Sequence, residues 1–353
     1  MPTLTSERIT RIASEVLQAA GASAENGDIV GKHLADANLA GHDSHGFIRI
    51  PQYVRNIREG QLNPKAQPKV NRDSKATAQI SGNGTFGQVA ASFGTRLAMK
   101  KAKEYGVGMV SMYNLGHTGR IGTYPEMVAR EGMAGIMFNG GLARGSVAPF
   151  GGREGRLSTN PISLSFPASD GRVMLLDFAT SMAAEGKLRV YSARGHELPD
   201  DWVLTKDGAP SRNPNDYYDG GAILPMGGLT GGHKGYALSF MTVLFGRVLS
   251  GLGAGDMTPT DKLVMGTSIT VIDLGADSSM GEIHREVDGV IDFVKSTPPM
   301  EGFSEVLYPG EIEANSRRDR LANGVPIEET TWGLVVELID EFSLRDKLGP
   351  LES

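Results

Sequence analysis

The sequence contains no cysteine. This absence excludes disulfide bonds, zinc sites built on thiolates, iron–sulfur clusters held by cysteine and cysteine nucleophiles. A block of basic residues is also missing, and 41 acidic residues outnumber 35 basic ones, for a formal net charge of −6. Proteins that bind nucleic acid usually carry a basic patch, so this charge pattern argues against a nucleic-acid partner.

Long hydrophobic runs are absent as well. No apolar stretch approaches the roughly 20 residues that a membrane-spanning helix needs. The first residues, Met1–Arg11, are polar and carry charge early, which is unlike a secretory signal peptide. We therefore expect a protein without membrane contact that is located in the cytoplasm.

Glycine, in contrast, is abundant, with 47 of 353 residues or about 13%, against a usual share of roughly 7%. The glycines are scattered among apolar runs and show no collagen period, and 40% of all residues are hydrophobic. Such a chain can bury a large core. The glycine excess therefore indicates many backbone positions with positive φ or a close approach to a ligand.

Hydrophobic periodicity divides the chain into two parts with different predicted secondary structure. The first 60 residues predict three helices, at Ser6–Ala20, Glu25–Ala40 and Phe47–Glu59, followed by a polar linker at Gln61–Asp73. Beyond the linker, short β-rich runs alternate with helical ones, which predicts an α/β fold with a sheet covered by helices. We expect residues 1–75 to form an N-terminal helical part that packs with C-terminal helices in residues 296–353, around an α/β core of residues 76–295.

The α/β core contains six predicted strands and five predicted helices. The predicted strands are Thr77–Ser81, Val107–Tyr113, Gly135–Asn139, Ile162–Phe166, Val173–Phe178 and Ser268–Leu274. The predicted helices are Gln88–Tyr105, Ile121–Glu131, Met182–Ser192, Tyr236–Leu249 and Glu282–Lys295. Two stretches, Gly140–Pro161 and Arg194–Gly232, are interpreted as long loops, which are usually functional or mobile.

A glycine motif, Gly82–Gly87, has the form G-x-G-x-x-G between a predicted strand and a predicted helix. This is the context of a dinucleotide-binding turn, in which a pyrophosphate lies on a helix N-terminus. That fold also needs an acidic residue about 20 positions later. Here the next strand ends in Tyr113-Asn114-Leu115, without a carboxylate. An ordinary glycine-rich turn is the alternative interpretation.

The first histidine cluster is Gly41-His42-Asp43-Ser44-His45-Gly46, between two predicted helices. Arg49 and Tyr53 follow His45 at steps of four residues, so all three can share one helix face. An imidazole titrates near neutral pH, and a guanidinium binds a carboxylate in bidentate fashion. Capping or core histidines are the alternative, and His42, Asp43 and His45 are also possible metal ligands, although their spacing fits no standard zinc signature.

The second cluster, Asn114-Leu115-Gly116-His117-Thr118-Gly119-Arg120, directly follows the predicted strand Val107–Tyr113. Ligands in α/β sheets bind beyond the carboxyl ends of strands. A histidine and an arginine at this place suit a small anionic substrate or a phosphate. A turn with a surface histidine is the alternative.

The third cluster, Gly231-Gly232-His233-Lys234-Gly235, precedes the predicted helix Tyr236–Leu249. A lysine at a helix start is electropositive for two reasons, its own charge and the helix dipole. It can bind a phosphate or a ribose hydroxyl. A solvated lysine on a flexible loop is the alternative, because the motif is not a Walker A loop.

These clusters, taken with several others, resemble the malate/L-lactate dehydrogenase family, over nearly the whole chain. The form His-Asp-Ser-His-Gly, with Arg317-Arg318 near the end, is most similar to the hydroxycarboxylate dehydrogenase B branch, and relatives include ureidoglycolate and sulfolactate dehydrogenases. The motifs that carry the resemblance are Ala40–Gly46, Gly116–Gly119, Thr159-Asn160-Pro161, Asp177–Ser181, Gly186-Lys187, Leu224-Pro225, His233–Tyr236, Pro309-Gly310-Glu311 and Asn315–Arg318.

The resemblance implies a fold and a cofactor. The fold is a mixed β-sheet flanked by helices, with an N-terminal helical segment, and it binds NAD(P) without a Rossmann domain. The protein is then a homodimer, and Gly82–Gly87 is not its dinucleotide site. NAD is the expected cofactor, with NADP possible. The residues that the resemblance assigns to the cofactor are His45, Gly119, Arg120, Ile121, Leu176, Asp177, Phe178, Ala179, His233, Lys234, Pro309, Gly310, Glu311 and Ile312.

The resemblance also implies a reaction, the interconversion of a 2-hydroxy acid and a 2-oxo acid by hydride transfer. A base is needed for the hydroxyl proton, and His45 or His117 can serve. We favour His45, because Ser44 and Arg49 surround it, although the position of His117 holds the proposed base in several relatives. Arg49 is the first choice to bind the substrate carboxylate.

Further substrate contacts are expected from Tyr53 and from Arg144, which lies in an unusually glycine-rich segment, and Arg120 is a rival of Arg49. One alternative is a metal-dependent lyase or hydrolase that uses His42, His45 and His117 with Asp43. Another is a nucleotide-sensing module that uses the Gly82–Gly87 turn.

Overall fold

A computed structural model describes residues 1–251, 264–276 and 278–351. Its helices are α1 (Ser6–Ala19), α2 (Ala24–Leu39), α3 (Ile50–Arg58), α4 (Gly87–Tyr105), α5 (Thr123–Arg130), α6 (Glu185–Arg194), α7 (Asn215–Tyr218), α8 (Gly228–Val243), α9 (Met280–Lys295), α10 (Glu311–Asn323), α11 (Glu329–Glu341) and α12 (Arg345–Leu348). Short 3₁₀ turns lie at Asp43–His45, Phe47–Arg49, Ser169–Gly171 and Leu274–Ala276, and a π-helical turn at Leu244–Val248 continues α8. Across the described ranges, no helix is both long and apolar enough to cross a membrane.

The strands form one large sheet and one small one. They are β1 (Thr3–Leu4), β2 (Lys69–Asp73), β3 (Thr77–Ser81), β4 (Val107–Tyr113), β5 (Met133–Val147), β6 (Ile162–Pro167), β7 (Val173–Phe178), β8 (Val203–Leu204), β9 (Pro210–Ser211), β10 (Ala222–Ile223), β11 (Val264–Asp273) and β12 (Val325–Pro326). The large sheet has the order β2-β3-β4-β11-β5-β10-β8-β9, and β6 and β7 extend from β5. The pairs β3–β4 and β5–β10 are parallel and the other pairs are antiparallel. The predicted α/β class with a mixed sheet is confirmed.

Several predicted elements have the observed bounds, and three loop assignments are wrong. The strands at Thr77–Ser81, Val107–Tyr113 and Val173–Phe178 agree residue for residue. The stretch Gly140–Pro161 is not a loop throughout, because β5 continues to Val147. The stretch Arg194–Gly232 contains α7, three short strands and the start of α8, and the linker Gln61–Asp73 ends in the exposed edge strand β2.

The N-terminal helices share a core with the C-terminal segment. Strand β1 pairs with β12, with Thr3 opposite Pro326. Buried side chains of α1, α2 and α3 form one hydrophobic cluster with Val325, Val335, Ile339 and Leu348. This packing supports the proposed division of the chain into residues 1–75 with 296–353 and a core of 76–295, which stays a prediction.

The G-x-G-x-x-G turn between β3 and α4 is bonded to the loop that carries the second histidine cluster. Gly84 N–H donates to Asn114 O at 2.8 Å, and Gly116 N–H donates to Thr85 O at 2.9 Å. A Cβ at Gly87 would overlap the carbonyl oxygens of Gly116 and His117. The motif therefore allows two backbone segments to lie against each other, and it fixes the loop around His117.

Candidate active site

The first two histidine clusters meet in the structure. His45 lies in a 3₁₀ turn after α2, and His117 lies in the loop after β4. Their rings stack, with centroids 5.5 Å apart and planes inclined by 15°. The loop of His45 is held on α2, because Phe47 N–H donates to Asn38 Oδ1 at 2.8 Å and a Cβ at Gly46 would overlap the Asn38 amide.

Both imidazoles are neutral in the free protein. Burial, followed by the charge of Arg49, lowers the pKa of His45 to about 3. The same two causes lower the pKa of His117 well below its usual value. A neutral imidazole has one nitrogen that accepts and one that donates. The pair therefore offers both a proton acceptor and a hydrogen-bond donor at neutral pH.

Ser44 and Arg49 border the histidine pair. Ser44 Oγ lies 3.1 Å from His45 Nδ1, and the Nε of Arg49 donates to Ser44 O at 2.6 Å. Arg49 is half-buried, and its Nη1 donates to Gln52 Oε1 at 2.6 Å. Next to Ser44 lies a cavity of about 330 Å³. It is lined by Ser44, Gly186, Lys187, Val190, Tyr191 and Trp202.

Tyr53 lies behind His117 and not in reach of a substrate. Only 1% of its surface is exposed. Its hydroxyl lies 2.9 Å from His117 Nδ1 and accepts a hydrogen bond from Gln88 Nε2 at 2.7 Å. The expected direct contact of Tyr53 with substrate is therefore at odds with its position. Gln88 was not found from the sequence, because 35 residues separate it from Tyr53.

Arg120 is the centre of a buried ion-pair network and not a free anion-binding group. Its side chain is fully buried. Its guanidinium lies 3.0 Å from Glu126 and 3.5 Å from both Asp36 and Asp177. Arg317 adds a second cation, 2.7 Å from Asp36. An Arg120 contact to cofactor or substrate would therefore have to come from its backbone.

The carboxylates of this network respond differently to their surroundings. Burial works to raise the pKa of Asp36, but Arg317 and Arg120 together bring it below its usual value. Burial raises the pKa of Asp177, and Arg120 and the Gly122 N–H only partly oppose the rise. The Gly122 N–H donates to Asp177 Oδ2 at 3.0 Å. Asp177 is thus engaged within the protein by its side chain.

His33 holds the backbone next to this network. Its Nε2 accepts from the N–H of Arg120 at 3.1 Å, and its ring stacks on Tyr124 at 5.5 Å. Burial lowers the pKa of His33 to about 4. A Cβ at Gly119, which has φ +73°, would overlap the His33 ring. The second glycine of the cluster is therefore needed for this contact.

The buried His33 predicts a loss of stability in acid. An unfolded histidine titrates near pH 6.5, and the folded pKa is about 4. Between these values the unfolded chain binds more protons, so the free energy of unfolding falls as the pH drops from 6.5 toward 4. Between pH 7.5 and 5.0, His33 should contribute a loss of about 2 kcal/mol. His33→Gln keeps a hydrogen-bond acceptor, and its free energy of unfolding, measured with urea, should not show this loss between pH 7.5 and 5.0. A pH dependence equal to that of the wild type would contradict the assignment.

Two of the expected cofactor segments are joined by backbone contacts. Leu176–Ala179 ends β7, and the start of that strand bonds to the segment Pro309–Ile312, since Leu175 N–H donates to Pro309 O at 3.0 Å. Beyond the end of β7, Ser181 forms a bridge with Pro225, two residues before the glycine that precedes α8. The end of β7 thus connects the 309–312 segment with the start of α8.

A cavity of about 620 Å³ lies beside this junction. Leu175, Tyr308 and Gly310 line it, together with Arg172, Arg317 and Arg318. Glu311 turns to Lys295, at 2.6 Å, and Ile312 is 65% exposed. Arg130 is a fourth arginine in its lining, and three acidic side chains line it too, Glu126, Asp170 and Glu313. The cavity therefore combines apolar walls with four guanidinium groups and three carboxyl groups.

The third cluster lies inside a helix and not in front of one, as was predicted. Helix α8 begins at Gly228, so His233 and Lys234 are exposed residues inside the helix and not at its start. Within the helix, Gly232 packs against Phe150 and Pro225, where a side chain would be crowded. Arg144 is exposed near the end of β5. Among the described contacts, none joins Arg144 to the histidine pair.

The residues of the metal hypothesis have their contacts in two separate places. His42 Nε2 lies 3.3 Å from Glu313 Oε1, and Asp43 accepts two hydrogen bonds from Arg320, at 2.6 and 2.9 Å. His45 instead stacks on His117. Within the part of the chain that the structure describes, no three His, Asp or Glu side chains are grouped as metal ligands. No observation therefore favours the metal-dependent alternative.

The sequence profile of the malate/L-lactate dehydrogenase family matches residues 4–335. The chain belongs to this family. Among similar proteins, a malate dehydrogenase from Pyrococcus horikoshii is 35% identical over 346 residues, 96% of this chain and 94% of the relative. Hydroxycarboxylate dehydrogenase B from Escherichia coli is 33% identical over 340 residues, 94% of this chain and 92% of the relative. The crystal structure of malate dehydrogenase from Entamoeba histolytica superimposes with a TM-score of 0.91 at 28% identity and covers 99% of both chains.

These matches confirm the family resemblance and the fold class. Membership makes the protein a hydroxy acid dehydrogenase, and the family implies a nicotinamide cofactor.

Proposed function

We propose that the protein interconverts a 2-hydroxy acid and a 2-oxo acid with NAD or NADP, and that His45 moves the proton. The observation that carries this proposal is the stacked pair of neutral histidines with Ser44 and Arg49 at its side. Oxidation of a hydroxyl needs a proton acceptor, and a carboxylate needs a cation nearby. The pair and Arg49 supply both.

The residues beside β7 suit a nicotinamide dinucleotide. The cofactor carries a pyrophosphate, and four arginines against three acidic side chains border the cavity near Gly310, which leaves an excess of one positive charge. The residues that would hold it are the backbone of Gly119–Ile121 and the segments Leu176–Ala179 and Pro309–Ile312, with His233 and Lys234 on α8 and with His45. When bound, the nicotinamide ring accepts or donates the hydride, and the protein moves the proton.

The proton moves at His45. In the oxidation direction, its bare nitrogen accepts the hydroxyl proton, and in the reduction direction the protonated ring returns it. Ser44 orients the ring through the contact of Oγ with Nδ1. Burial and Arg49 hold the pKa of free His45 at about 3. A substrate carboxylate on Arg49 offsets that positive charge, which raises the pKa toward the range where a base works well.

Arg49→Met should raise KM for the acid by roughly 10- to 100-fold, because a charged hydrogen bond contributes about 1.5–3 kcal/mol. The change also removes a charge that lowers the pKa of His45, so the acidic limb of the kcat/KM profile for oxidation should shift to higher pH. Steady-state kinetics across pH measure both effects. Arg55→Met is a matched control, because Arg55 is an exposed arginine on α3, the helix that follows Arg49. An unchanged KM in Arg49→Met would exclude Arg49 as the carboxylate-binding group.

We further propose a homodimer in the cytoplasm. Large apolar side chains are exposed on α8 and the turn after it, and on α9, including Phe240 at 48%, Val248 at 58% and Phe293 at 80%. Exposed apolar surface of this kind is typical of a protein–protein contact.

One assay tests the function. The absorbance of NADH and of NADPH is followed with pyruvate, oxaloacetate, phenylpyruvate, hydroxypyruvate and sulfopyruvate, and the reverse reactions with lactate, malate and ureidoglycolate. Turnover of one pair gives cofactor and substrate class together. Tight binding of NAD(H) without turnover on any pair would favour the nucleotide-sensing alternative, and activity that is lost with chelator and restored by zinc or manganese would favour a metal enzyme.

A further inference from the structure

A buried chain of hydrogen bonds ends at His117. It starts at Gln88 on α4, which is fully buried, and passes through Tyr53 on α3, which is 1% exposed. The donor–acceptor distances are 2.7 Å from Gln88 Nε2 to Tyr53 Oη and 2.9 Å from Tyr53 Oη to His117 Nδ1. Among the described residues, Gln88 and His117 are the hydrogen-bond partners of this hydroxyl.

The direction of the chain follows from counting protons. An amide nitrogen can only donate, so the Tyr53 oxygen accepts from Gln88. The single proton of the hydroxyl then goes to His117 Nδ1, which is the other partner of this hydroxyl among the described residues. Burial raises the pKa of Tyr53 to about 12, so the hydroxyl keeps this proton throughout the working pH range. A neutral imidazole whose Nδ1 accepts carries its proton on Nε2.

We propose that Gln88 and Tyr53 are positioning residues that hold neutral His117 as the Nε2–H tautomer, so that it donates a hydrogen bond to the substrate oxygen and leaves the proton transfer to His45. The role of His117 toward the substrate rests on the proposed dehydrogenase function. Its tautomer rests on the hydrogen bonds alone.

The two stacked histidines then have separate tasks. His117 cannot give up its Nε2 proton without becoming an imidazolate, because its Nδ1 carries no proton. It can only polarise the carbonyl oxygen of the 2-oxo acid, or stabilise the alkoxide that develops in oxidation. A preorganised donor aimed at a developing negative charge is among the most effective catalytic devices. His45, whose Nδ1 faces Ser44 instead of a tyrosine, is the ring that exchanges the proton.

Nitrogen NMR of the free protein tests the tautomer directly. The chain contains seven histidines, so ¹⁵N-histidine labelling gives few signals, and comparison with His117→Asn identifies those of His117. We expect a protonated Nε2 and an unprotonated Nδ1. A wild-type His117 that is protonated on Nδ1 overturns the proposal, because the chain would then run in the opposite direction, from His117 through Tyr53 to Gln88 Oε1.

Gln88→Glu should reverse the direction of the hydrogen bonds between residue 88, Tyr53 and His117. A carboxylate accepts from the Tyr53 hydroxyl, the Tyr53 oxygen then accepts from His117, and the proton of His117 moves to Nδ1. With the donor lost, kcat for 2-oxo acid reduction should fall about a hundredfold, the cost of removing one donor to a developing oxyanion. If the ¹⁵N signals of His117 in folded Gln88→Glu stay those of the wild type, the proposal is overturned.

Tyr53→Phe is the milder variant and does not depend on a buried carboxylate. It removes the donor to Nδ1, so the two tautomers of His117 should mix, and kcat should fall about tenfold, the contribution of one neutral hydrogen bond, with KM for the cofactor unchanged. Tyr124→Phe is the matched control, because it removes another buried hydroxyl, which donates to Thr118 O at 2.6 Å. That control should keep the wild-type tautomer. Equal tautomer signals in wild type and Tyr53→Phe would contradict the proposal.

The NMR result also separates the two proposals. A protein that shows the Nε2–H tautomer but turns over no 2-oxo acid keeps the hydrogen-bond assignment and overturns the dehydrogenase function. A protein that turns over substrate with His117 protonated on Nδ1 keeps the function and overturns the positioning role of Gln88 and Tyr53.

Discussion

His45→Ala should lower kcat for the oxidation of the hydroxy acid by about 10²–10⁴-fold, the usual contribution of a general base. In the proposed mechanism His117 carries its proton on Nε2 and acts as a hydrogen-bond donor. His45 is then the imidazole of the pair that accepts the hydroxyl proton. The Kd for the nicotinamide cofactor should change far less than kcat, because the proposed cofactor site includes many other segments. Stopped-flow measurement of hydride transfer and fluorescence titration of NADH measure the two quantities.

His196→Ala is the control for this experiment, because His196 is an exposed histidine after α6. It should keep the wild-type rate. A kcat of His45→Ala within a few-fold of the wild-type value would remove His45 from the proton transfer and return that role to His117.

Arg120→Met should lower the free energy of unfolding by about 3–5 kcal/mol, the cost of breaking a buried ion pair by removing one partner. The substitution leaves Asp36, Glu126 and Asp177 near one another without their central cation. Burial already raises the pKa of Asp177, and the variant lacks the guanidinium that most opposes this rise, so the pKa lies further above its unfolded value and the deficit should shrink as the pH falls from 7.5 to 5.5. Urea unfolding at both pH values measures this.

Arg156→Met is the matched control, because Arg156 pairs with Glu154 at the surface, where both side chains are 53% exposed. Exposed pairs contribute little to stability, so this variant should unfold close to the wild type. Equal stability of Arg120→Met and Arg156→Met would show that the network around Arg120 is not a stabilising centre.

Strands with apolar alternation were predictable from the sequence, and strands that use glycine were not. Val107–Tyr113 and Val173–Phe178 agree residue for residue with β4 and β7. Strand β5 runs past Asn139 through Gly140, where a Cβ would overlap the backbone of Thr242. Glycine indicated a loop in the sequence, but here it lets a helix approach a strand. The start of α8 was misplaced for the same reason, at Gly231 and Gly232.

The site was predictable to the extent that it is built from local motifs. His45, Arg49 and His117 stand out because glycine or a helix step surrounds them. The partners that set their behaviour do not stand out, since Gln88 follows the G-x-G-x-x-G turn and His33 lies inside α2, and only the folded chain brings these residues to the site. Arg120 was interpreted as an anion-binding group, because the sequence does not show the three carboxylates around it.

The small sheet of β1 and β12 has a consequence for the order of folding during synthesis. Leu4 pairs with Val325, and the cluster of α1, α2 and α3 also contains Leu348. During synthesis, α1, α2 and α3 therefore lack part of their core until the segment that contains Val325 and Leu348 has been made. Closing so long a loop costs conformational entropy that grows slowly with its length, and contacts so distant in sequence slow folding. We expect the large sheet to fold before the helical layer that carries His45, so that the active site is completed late in folding.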